Sequence, residues 1–358
     1  MTSLLDGPRG RRLCLELITD ASDEVATGLG DLARVADEAA GASTGRVTFA
    51  MIGDLPTRSG PRRQPVSMDV LADLIAAVCV DPTTAAIDAA FARSVDVARY
   101  WQEPDGADLV AADQRIAGAL GHVARAVSEH AATQWWMRER APEQWAIEFD
   151  PTDDGAPFDP APDGASRWSA ATRDEEDRAR RERPADVTAR FGGHWWSHPW
   201  GAPHTTGERA DGVPAGIPYV EDGFGWRRAV AIPVGGAGRT YEIRGADAWA
   251  DLCRRYPLEV TYARRHEWYR VTGRDGRWLL PDWERVAGDW DAVHLTAAAY
   301  LTAATREIVV DDEYSSLIGG WGPDETYWLT GRVRETERPR VHWRADDRYV
   351  DTRWEPVG

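Results

Sequence analysis

The character of the chain changes near residue 147, and this change limits the folds that it can adopt. Before that point, apolar residues recur at spacings of three and four through the segments 68–80, 85–102 and 107–136. This is the period of helices that pack on a core. One segment, 46–52, reads as a strand instead. We therefore predict a mostly α-helical domain over residues 1–146.

From residue 190 onward, short runs of β-branched and aromatic residues alternate with turns. These runs predict strands at 239–243, 258–262, 266–271, 277–280, 292–296, 307–310, 326–330 and 340–343. Short helices are predicted between them, at 245–256, 281–288 and 296–304. The Pro- and Asp-rich text of 147–189 predicts a linker that ends in a charged helix. The predicted fold class is therefore α+β, with a Trp-rich domain over 190–358 and a curved, mainly antiparallel sheet.

Composition excludes several chemistries. All 42 basic residues are arginine, so lysine Schiff bases and phosphate-loop lysines are ruled out. The 59 acidic residues outnumber the arginines, which argues against nucleic acid as a partner. The three cysteines have no short spacing, as expected in a reducing compartment. Because no apolar run is long enough to span a membrane, we expect an acidic, lysine-free cytoplasmic protein without a membrane partner.

The segment HWWSHPWGAPH (194–204) resembles a metal site at first reading. It spaces three histidines as one class of zinc proteases does, namely His194, His198 and His204. A zinc helix needs a glutamate directly after the first histidine, and Trp195 stands there instead. Pro199 also opposes a helix. We interpret the segment as an extended aromatic loop, with metal binding by the histidines as the lesser alternative.

Two further segments carry candidate catalytic groups. In PDWERVAGDWDAVHLT (281–296), Asp291 lies near His294, and a carboxylate beside a histidine is the pairing of general acid–base catalysis. The alternative is that Asp291 only turns the chain. In GGWGPDETYWL (319–329), Glu325 enters a strand beside Trp328. That glutamate could have a raised pKa, recognise a sugar hydroxyl or pair with an arginine.

Several phrases of the C-terminal half also carry a family resemblance: HWWSHP, AWADLCRRYPLEVT, GRWLLPDW, WDAVHLT and GWGPDETYWL. Together they resemble an uncharacterised family of conserved hypothetical proteins from GC-rich bacteria, over about residues 190–330. No activity is established for that family, so the resemblance implies a recurring module and no catalytic residue.

A second resemblance concerns the order of three residues, Arg239, Thr296 and Glu325. It is similar to the plan of ADP-ribosyltransferases, which use an Arg or His, then a hydroxyl residue, then a Glu. The resemblance implies that the arginine anchors NAD, the hydroxyl braces the nicotinamide side and the glutamate polarises the ribose. The chain departs from the plan at Pro323, where a second acidic residue or a glutamine is expected, and it lacks the Ser-Thr-Ser run.

The leading functional hypothesis is a non-catalytic binding or regulatory module. Its Trp/Arg-rich C-terminal surface would recognise a protein partner or a small-molecule ligand. The candidate contact residues are Trp195, Trp196, Trp200, Trp321 and Trp328. The alternatives are an NAD-consuming ADP-ribosyltransferase-like enzyme and a metal-dependent hydrolase that uses His194 and His198. No cofactor is expected under the leading hypothesis, whereas the alternatives require NAD or a divalent metal.

Overall fold

The computed structural model describes residues 3–40, 66–221, 225–346 and 352–357. The N-terminal part is helical, as predicted. Its α-helices are α1 (Pro8–Ala21), α2 (Asp23–Ala39), α3 (Met68–Ala77), α4 (Thr84–Asp96), α5 (Gly106–Ala112), α6 (Gln114–Ala119) and α7 (Gly121–Glu129). Two 3₁₀ helices accompany them, Leu4–Asp6 and Ala131–Met137. The strand predicted at 46–52 lies outside the described residues.

The single long helix predicted over 107–136 is wrong, because the structure divides it into α5, α6, α7 and a 3₁₀ helix. Side-chain caps explain two of the three breaks. Asp113 is extended and accepts the Arg115 N–H, which starts α6. His130 is also extended, and its ring accepts the Ala132 N–H at 3.1 Å. Caps of this kind compete with helix continuation even where the apolar period is unbroken.

The C-terminal part contains two mainly antiparallel sheets. The strands are β1 (Glu143–Phe149), β2 (His204–Thr206), β3 (Arg228–Gly236), β4 (Thr240–Ile243), β5 (Pro257–Glu259), β6 (Arg277–Pro281), β7 (Ala292–Leu295), β8 (Ile308–Val309), β9 (Tyr314–Ser316), β10 (Glu325–Trp328), β11 (Val333–Glu335), β12 (Val341–Ala345) and β13 (Trp354–Val357). The larger sheet has the order β13-β12-β3-β1-β2-β10-β7-β4, with β11 also on β3, and the smaller is β5-β6-β9-β8. Only β4–β7 and β6–β9 are parallel among the described strand pairs. The predicted α+β class is confirmed.

Five helices connect and cover these strands: α8 (Gly164–Glu182), α9 (Ala246–Arg255), α10 (Thr261–Thr272), α11 (Trp283–Ala287) and α12 (Ala297–Ala303). The strand predicted at 266–271 is wrong, since these residues lie in α10. The buried Glu176 of α8 explains this helix, because its carboxylate accepts the N–H groups of Tyr262 and Ala263 at 3.1 and 2.8 Å. A carboxylate at the N-terminus of α10 accepts hydrogen bonds from backbone N–H groups that have no partner within the helix. Its negative charge also interacts favourably with the helix dipole. Tertiary contact thus overrides the local β propensity.

The hydrophobic core joins the two predicted parts. Phe91 of α4 packs its ring 6.4 Å from that of Tyr300 in α12, and both are fully buried. The predicted boundary between 146 and 147 falls inside β1, which is paired along its length with β3. Within the described ranges, no helix has both the length and the apolar composition needed to cross a membrane.

Candidate functional site

Strand β10 lies at the centre of the candidate site, because its register fixes which side chains meet. Glu325 pairs with Thr206, and Tyr327 pairs with His204, on the β2 side. Thr326 pairs with His294 on the β7 side. Since directly paired residues share a face and alternate residues point to opposite faces, Glu325, Tyr327 and His204 lie on one face of the sheet. His294 lies on the other.

On the first face, His204 and Glu325 form a dyad. The His204 Nδ1 atom is 2.6 Å from Glu325 Oε1, and Glu325 Oε2 accepts the Gly322 N–H at 2.6 Å. The histidine side chain is 51% exposed, whereas the glutamate is only 9% exposed. The His204 Nε2 atom has no hydrogen-bond partner among the described residues. The glutamate therefore orients the ring from inside while the second nitrogen stays at the surface.

The dyad changes the proton affinity of both members. Burial alone would lower the pKa of His204, but the hydrogen bond to Glu325 outweighs it and raises that pKa. Burial alone would raise the pKa of Glu325, but the bond from His204 keeps it below its ordinary value. The glutamate is thus an ionised acceptor. The raised pKa that the sequence offered as one option for Glu325 is wrong.

A second carboxylate, Glu221, behaves in the opposite way. Its Oε1 atom accepts hydrogen bonds from the phenols of Tyr100 and Tyr300, the latter at 3.0 Å. Burial raises the pKa of Glu221 to about 8, and the charge of Glu325 contributes to that rise. Glu221 Oε2 has no hydrogen-bond partner in the described part of the chain. At neutral pH this group is a protonated acid with its free oxygen available as a donor.

Tyr327 lies within electrostatic range of both carboxylates. Burial and the charges of Glu325 and Glu221 raise its pKa well above the ordinary value. Its ring stacks with that of His204 at 5.5 Å and with that of His198 at 4.8 Å. Burial lowers the pKa of His198 to about 4, so this ring is neutral. We define the Glu221–Glu325 site as Tyr100, His198, His204, Glu221, Tyr300, Glu325 and Tyr327.

Aromatic side chains surround this site. Trp195 stacks on Tyr100 with ring centroids 5.3 Å apart and planes 8° apart. Trp196 follows, with its ring 5.0 Å from that of Trp195, and Trp200 is 46% exposed. The segment 194–204 is therefore an aromatic loop without helix, as its prolines predict. It places flat apolar surface beside the hydrogen-bonding groups.

On the opposite face, His294 is fully buried between two carboxylates. Its Nδ1 atom is 2.6 Å from Glu242 Oε2, and its Nε2 atom is 3.4 Å from Asp324 Oδ1. Burial lowers the pKa of His294, but Asp324 and Glu242 outweigh it and raise the value to about 9. This histidine is a buried cation. Its predicted partner Asp291 instead accepts the Arg239 N–H at 2.9 Å and the Thr330 hydroxyl at 3.0 Å, so it turns the chain.

The three residues of the ADP-ribosyltransferase resemblance do not meet. Strands β4 and β7 are parallel, with Thr240 beside Ala292 and Ile243 beside Leu295. Arg239 and Thr296 consequently lie at opposite strand ends, roughly 16 Å apart at the usual rise per residue. Thr296 is also fully buried, and its hydroxyl accepts the Ala299 N–H as the cap of α12. Glu325 shares the Thr296 end of the sheet.

The three predicted metal-ligand histidines have separate partners. His194 Nδ1 is 3.0 Å from Glu175, and His204 bonds Glu325. His198 stacks on Tyr327. Among the residues that the structure describes, no group of three or more His, Cys, Asp or Glu could hold a metal ion.

The five predicted contact tryptophans divide into two groups. Trp195, Trp196 and Trp200 are half-buried or exposed, and the first two contact the Tyr100 and His198 rings of the Glu221–Glu325 site. Trp321 and Trp328 are 0% and 1% exposed. The prediction that these two line a binding surface is wrong, because their rings pack in the core and their N–H groups bond Ser197 and Thr205.

Sequence reasoning missed Glu221 and its two tyrosines. Glu221 is separated by 121 residues from Tyr100 and by 79 from Tyr300, so no local pattern joins them. The one available signal was an acidic residue at the end of the Gly- and Pro-rich stretch GVPAGIPYVE. Glu242 was also missed, although it lies within the predicted strand at 239–243.

Comparison of the chain with protein-family models, with curated proteins and with solved structures gave no match. The family resemblance of residues 190–330 therefore stays a prediction. Function has to follow from the chemistry of the site itself, because fold alone does not determine activity.

Proposed function

We propose that the protein is a hydrolase that cleaves a small neutral substrate by general acid–base catalysis at the Glu221–Glu325 site. One observation carries the proposal: two carboxylates around Tyr327 have opposite environments. Glu221 is held protonated to about pH 8, and Glu325 is held ionised by His204. Pairs of titratable groups whose pKa values are driven apart are the usual assignment of acid and base in an active site.

The base is His204, and Glu325 orients it. The hydrogen bond at Nδ1 fixes the tautomer that leaves the Nε2 lone pair at the surface. A water molecule at that atom would lose a proton to Nε2 while its oxygen attacks the substrate. A buried carboxylate behind the ring stabilises the imidazolium that forms, as in other His–carboxylate pairs.

The acid is Glu221. When the substrate bond breaks, the leaving oxygen or nitrogen takes the proton from Glu221 Oε2. The resulting carboxylate is stabilised by the two phenols that already donate to Oε1. His204 then releases its proton to solvent, and Glu221 takes up a proton from solvent. Both groups thereby return to their starting protonation states. Atoms and charge balance with water as the only co-reactant.

The surroundings favour a neutral substrate with hydrogen-bonding groups. Glu221 is uncharged and the Glu325 charge is balanced by His204 once that histidine is protonated. Trp195 and Trp196, whose rings lie against Tyr100 and His198, supply flat apolar surface beside the site. This combination of aromatic faces and polar groups is typical of small-molecule sites. The Trp/Arg binding surface has less support, because Trp321 and Trp328 are core residues.

The test is a hydrolysis screen of the full-length chain with neutral methyl glycosides and methyl esters, whose alcohol leaving groups need a proton from a general acid. For a substrate that is turned over, the rate should rise as His204 loses its proton and fall as Glu221 loses its proton near pH 8. Glu221→Gln should lower kcat by roughly a hundredfold or more and remove the alkaline limb. His204→Gln should remove the acidic limb.

The matched control is Glu284→Gln, which removes a carboxylate that is 50% exposed and paired with Arg173. It should leave the rate unchanged. Wild-type rates in both Glu221→Gln and Glu325→Gln would contradict the proposal, and so would a profile whose alkaline limb survives Glu221→Gln.

A further inference from the structure

A pocket of about 520 Å³ lies on the His294 side of the sheet, separate from the Glu221–Glu325 site. It opens between the start of β4 and the segment that precedes β1. Its lining residues are Glu139, Arg140, Gly238, Thr240, Tyr241, Glu242, Arg244 and Trp290. The proposed hydrolase mechanism uses none of them.

Arg140 is the unusual member of this lining. It is half-buried, and its Nε and Nη1 atoms donate to the Thr240 hydroxyl at 2.7 Å and the Ala141 carbonyl at 3.0 Å. Its guanidinium lies 5.0 Å from the centre of the Trp328 ring. In the described ranges it forms no ion pair, and its Nη2 atom has no partner. The charge of Glu242 acts on Arg140 without an ion-pair contact, so the Nη2 donors stay available to a ligand that carries an oxyanion.

The carboxylates of the pocket form their closest contacts with cations other than the Arg140 guanidinium. Glu242 bonds His294 at 2.6 Å and also accepts the backbone N–H of Arg140 at 3.0 Å. Glu139 pairs with Arg244. These pairs leave Arg140 as the cation of the lining without an ion-pair partner among the described residues.

A second such arginine stands at the rim. The Arg239 guanidinium lies 5.7 Å from the centre of the Trp290 ring, and in the residues that the structure describes it pairs with no carboxylate. The neighbouring Asp291 is occupied by Arg332 at 3.0 Å and by the Arg239 backbone N–H. Arg140 thus lines the pocket, and Arg239 lies against the lining residue Trp290.

We propose that this pocket binds a small molecule through an oxyanion, either a carboxylate or a phosphate, which Arg140 holds inside and Arg239 holds at the rim. Guanidinium groups present paired donors that match both oxyanions. The half-buried Trp290 ring offers a flat apolar wall for the rest of the ligand. The exposed edge of Glu242, whose side chain is 15% exposed, can accept a donor from it.

Isothermal titration calorimetry of the full-length chain tests this with four probes: inorganic phosphate, succinate, ADP and adenosine. Adenosine lacks the oxyanion and should not bind. Binding of succinate alone identifies a carboxylate ligand, and binding of phosphate or ADP identifies a phosphate ligand. Arg140→Gln should weaken the bound probe by roughly ten- to hundredfold, the usual loss for a charged hydrogen bond.

Arg239→Gln is the second variant, because this side chain is exposed and forms no ion pair with a described residue, so its removal should leave the protein folded. It should weaken the same probe by several-fold. The matched control is Arg115→Gln, which removes a half-exposed arginine on α6 that is paired with Asp113 at 2.8 Å. No binding of any of the three anions, or equal binding by Arg239→Gln and Arg115→Gln, would overturn the proposal. Either result leaves the hydrolase proposal untouched, since the two sites share no residue.

Discussion

His294 and His204 make a natural comparison, because their carboxylate partners are consecutive residues at the start of β10. The two histidines lie on opposite faces of the sheet. Asp324 faces His294, and Glu325 bonds His204. Both rings have a carboxylate oxygen at 2.6 Å from Nδ1. Yet His294 is fully buried between two carboxylates, while His204 is half-exposed with one.

The difference separates a structural histidine from a chemical one. A buried ring between two carboxylates holds its proton to about pH 9 and has no nitrogen left for a substrate. A ring at the surface with one buried carboxylate keeps a free nitrogen. The same pair of residue types therefore stabilises the fold on one face and can transfer protons on the other. The burial of the histidine ring and the number of its carboxylate partners decide which of the two roles it has.

The largest effect is expected from His294→Gln. Removing the cation leaves the buried carboxylates of Glu242 and Asp324 facing each other, and breaking a buried ion pair costs about 3–5 kcal/mol. Urea denaturation of the variant should show this loss in the free energy of unfolding. A loss below about 1 kcal/mol would mean that the buried triad is no more important than a surface pair.

The titration of His294 should also make the free energy of unfolding depend on pH. Its pKa is about 9 in the folded protein and 6.5 for an unperturbed histidine, so the folded state binds the proton more tightly. The stabilisation is full below pH 6.5 and is lost as the pH rises towards 9, by about 3 kcal/mol over that window. The difference in unfolding free energy between wild type and His294→Gln should shrink over this window. A constant difference from pH 6 to 9 would show that His294 does not titrate there.

Asp324→Asn should give a smaller loss, of about 1–2 kcal/mol. The Asp324 contact to His294 is long, at 3.4 Å, whereas its other oxygen accepts the Gly207 N–H at 2.8 Å. Asparagine keeps that acceptor and tolerates the left-handed backbone at this position, where φ is 61°. Thermal and urea unfolding of this variant thus isolate the charge. A loss as large as that of His294→Gln would place the main counter-charge on Asp324 and not on Glu242.

The smallest effect on stability is expected from His204→Gln. The ring is 51% exposed, and pairs at the surface contribute about 0–1 kcal/mol. Unfolding free energy should therefore stay within about 1 kcal/mol of the wild type, while hydrolysis of any substrate found in the screen should fall sharply. Strong destabilisation with unchanged hydrolysis would reverse the roles that we assign to the two histidines.

The sequence predicts the strands and helices that carry these two histidines better than it predicts the contacts of the histidines. Strands β4, β7 and β10 and helix α9 were predictable because each has its own local pattern of β-branched, aromatic or 3.6-period residues. The segment 266–271 was not, because its helix depends on the buried Glu176 of a distant element. Local propensity carries no information about such a cap.

The candidate site was predictable only in part. His198, His204 and Glu325 were singled out by spacing and by strand position, although the sequence separation of 121 between His204 and Glu325 hid their hydrogen bond. Glu221 and Glu242 had no motif. Their chemistry arises from burial and from partners that lie far away in the sequence, which local patterns do not reveal.

The most direct test of the proposed acid–base pair is a carbon-13 NMR titration of glutamate side chains in the full-length chain, with Glu221→Gln and Glu325→Gln for assignment. We expect one carboxyl resonance that titrates at about pH 8 and vanishes in Glu221→Gln. A second, lost in Glu325→Gln, should titrate below the ordinary glutamate range. If both resonances instead titrate together near the ordinary value of about 4.3, the two carboxylates are equivalent and the acid–base assignment fails.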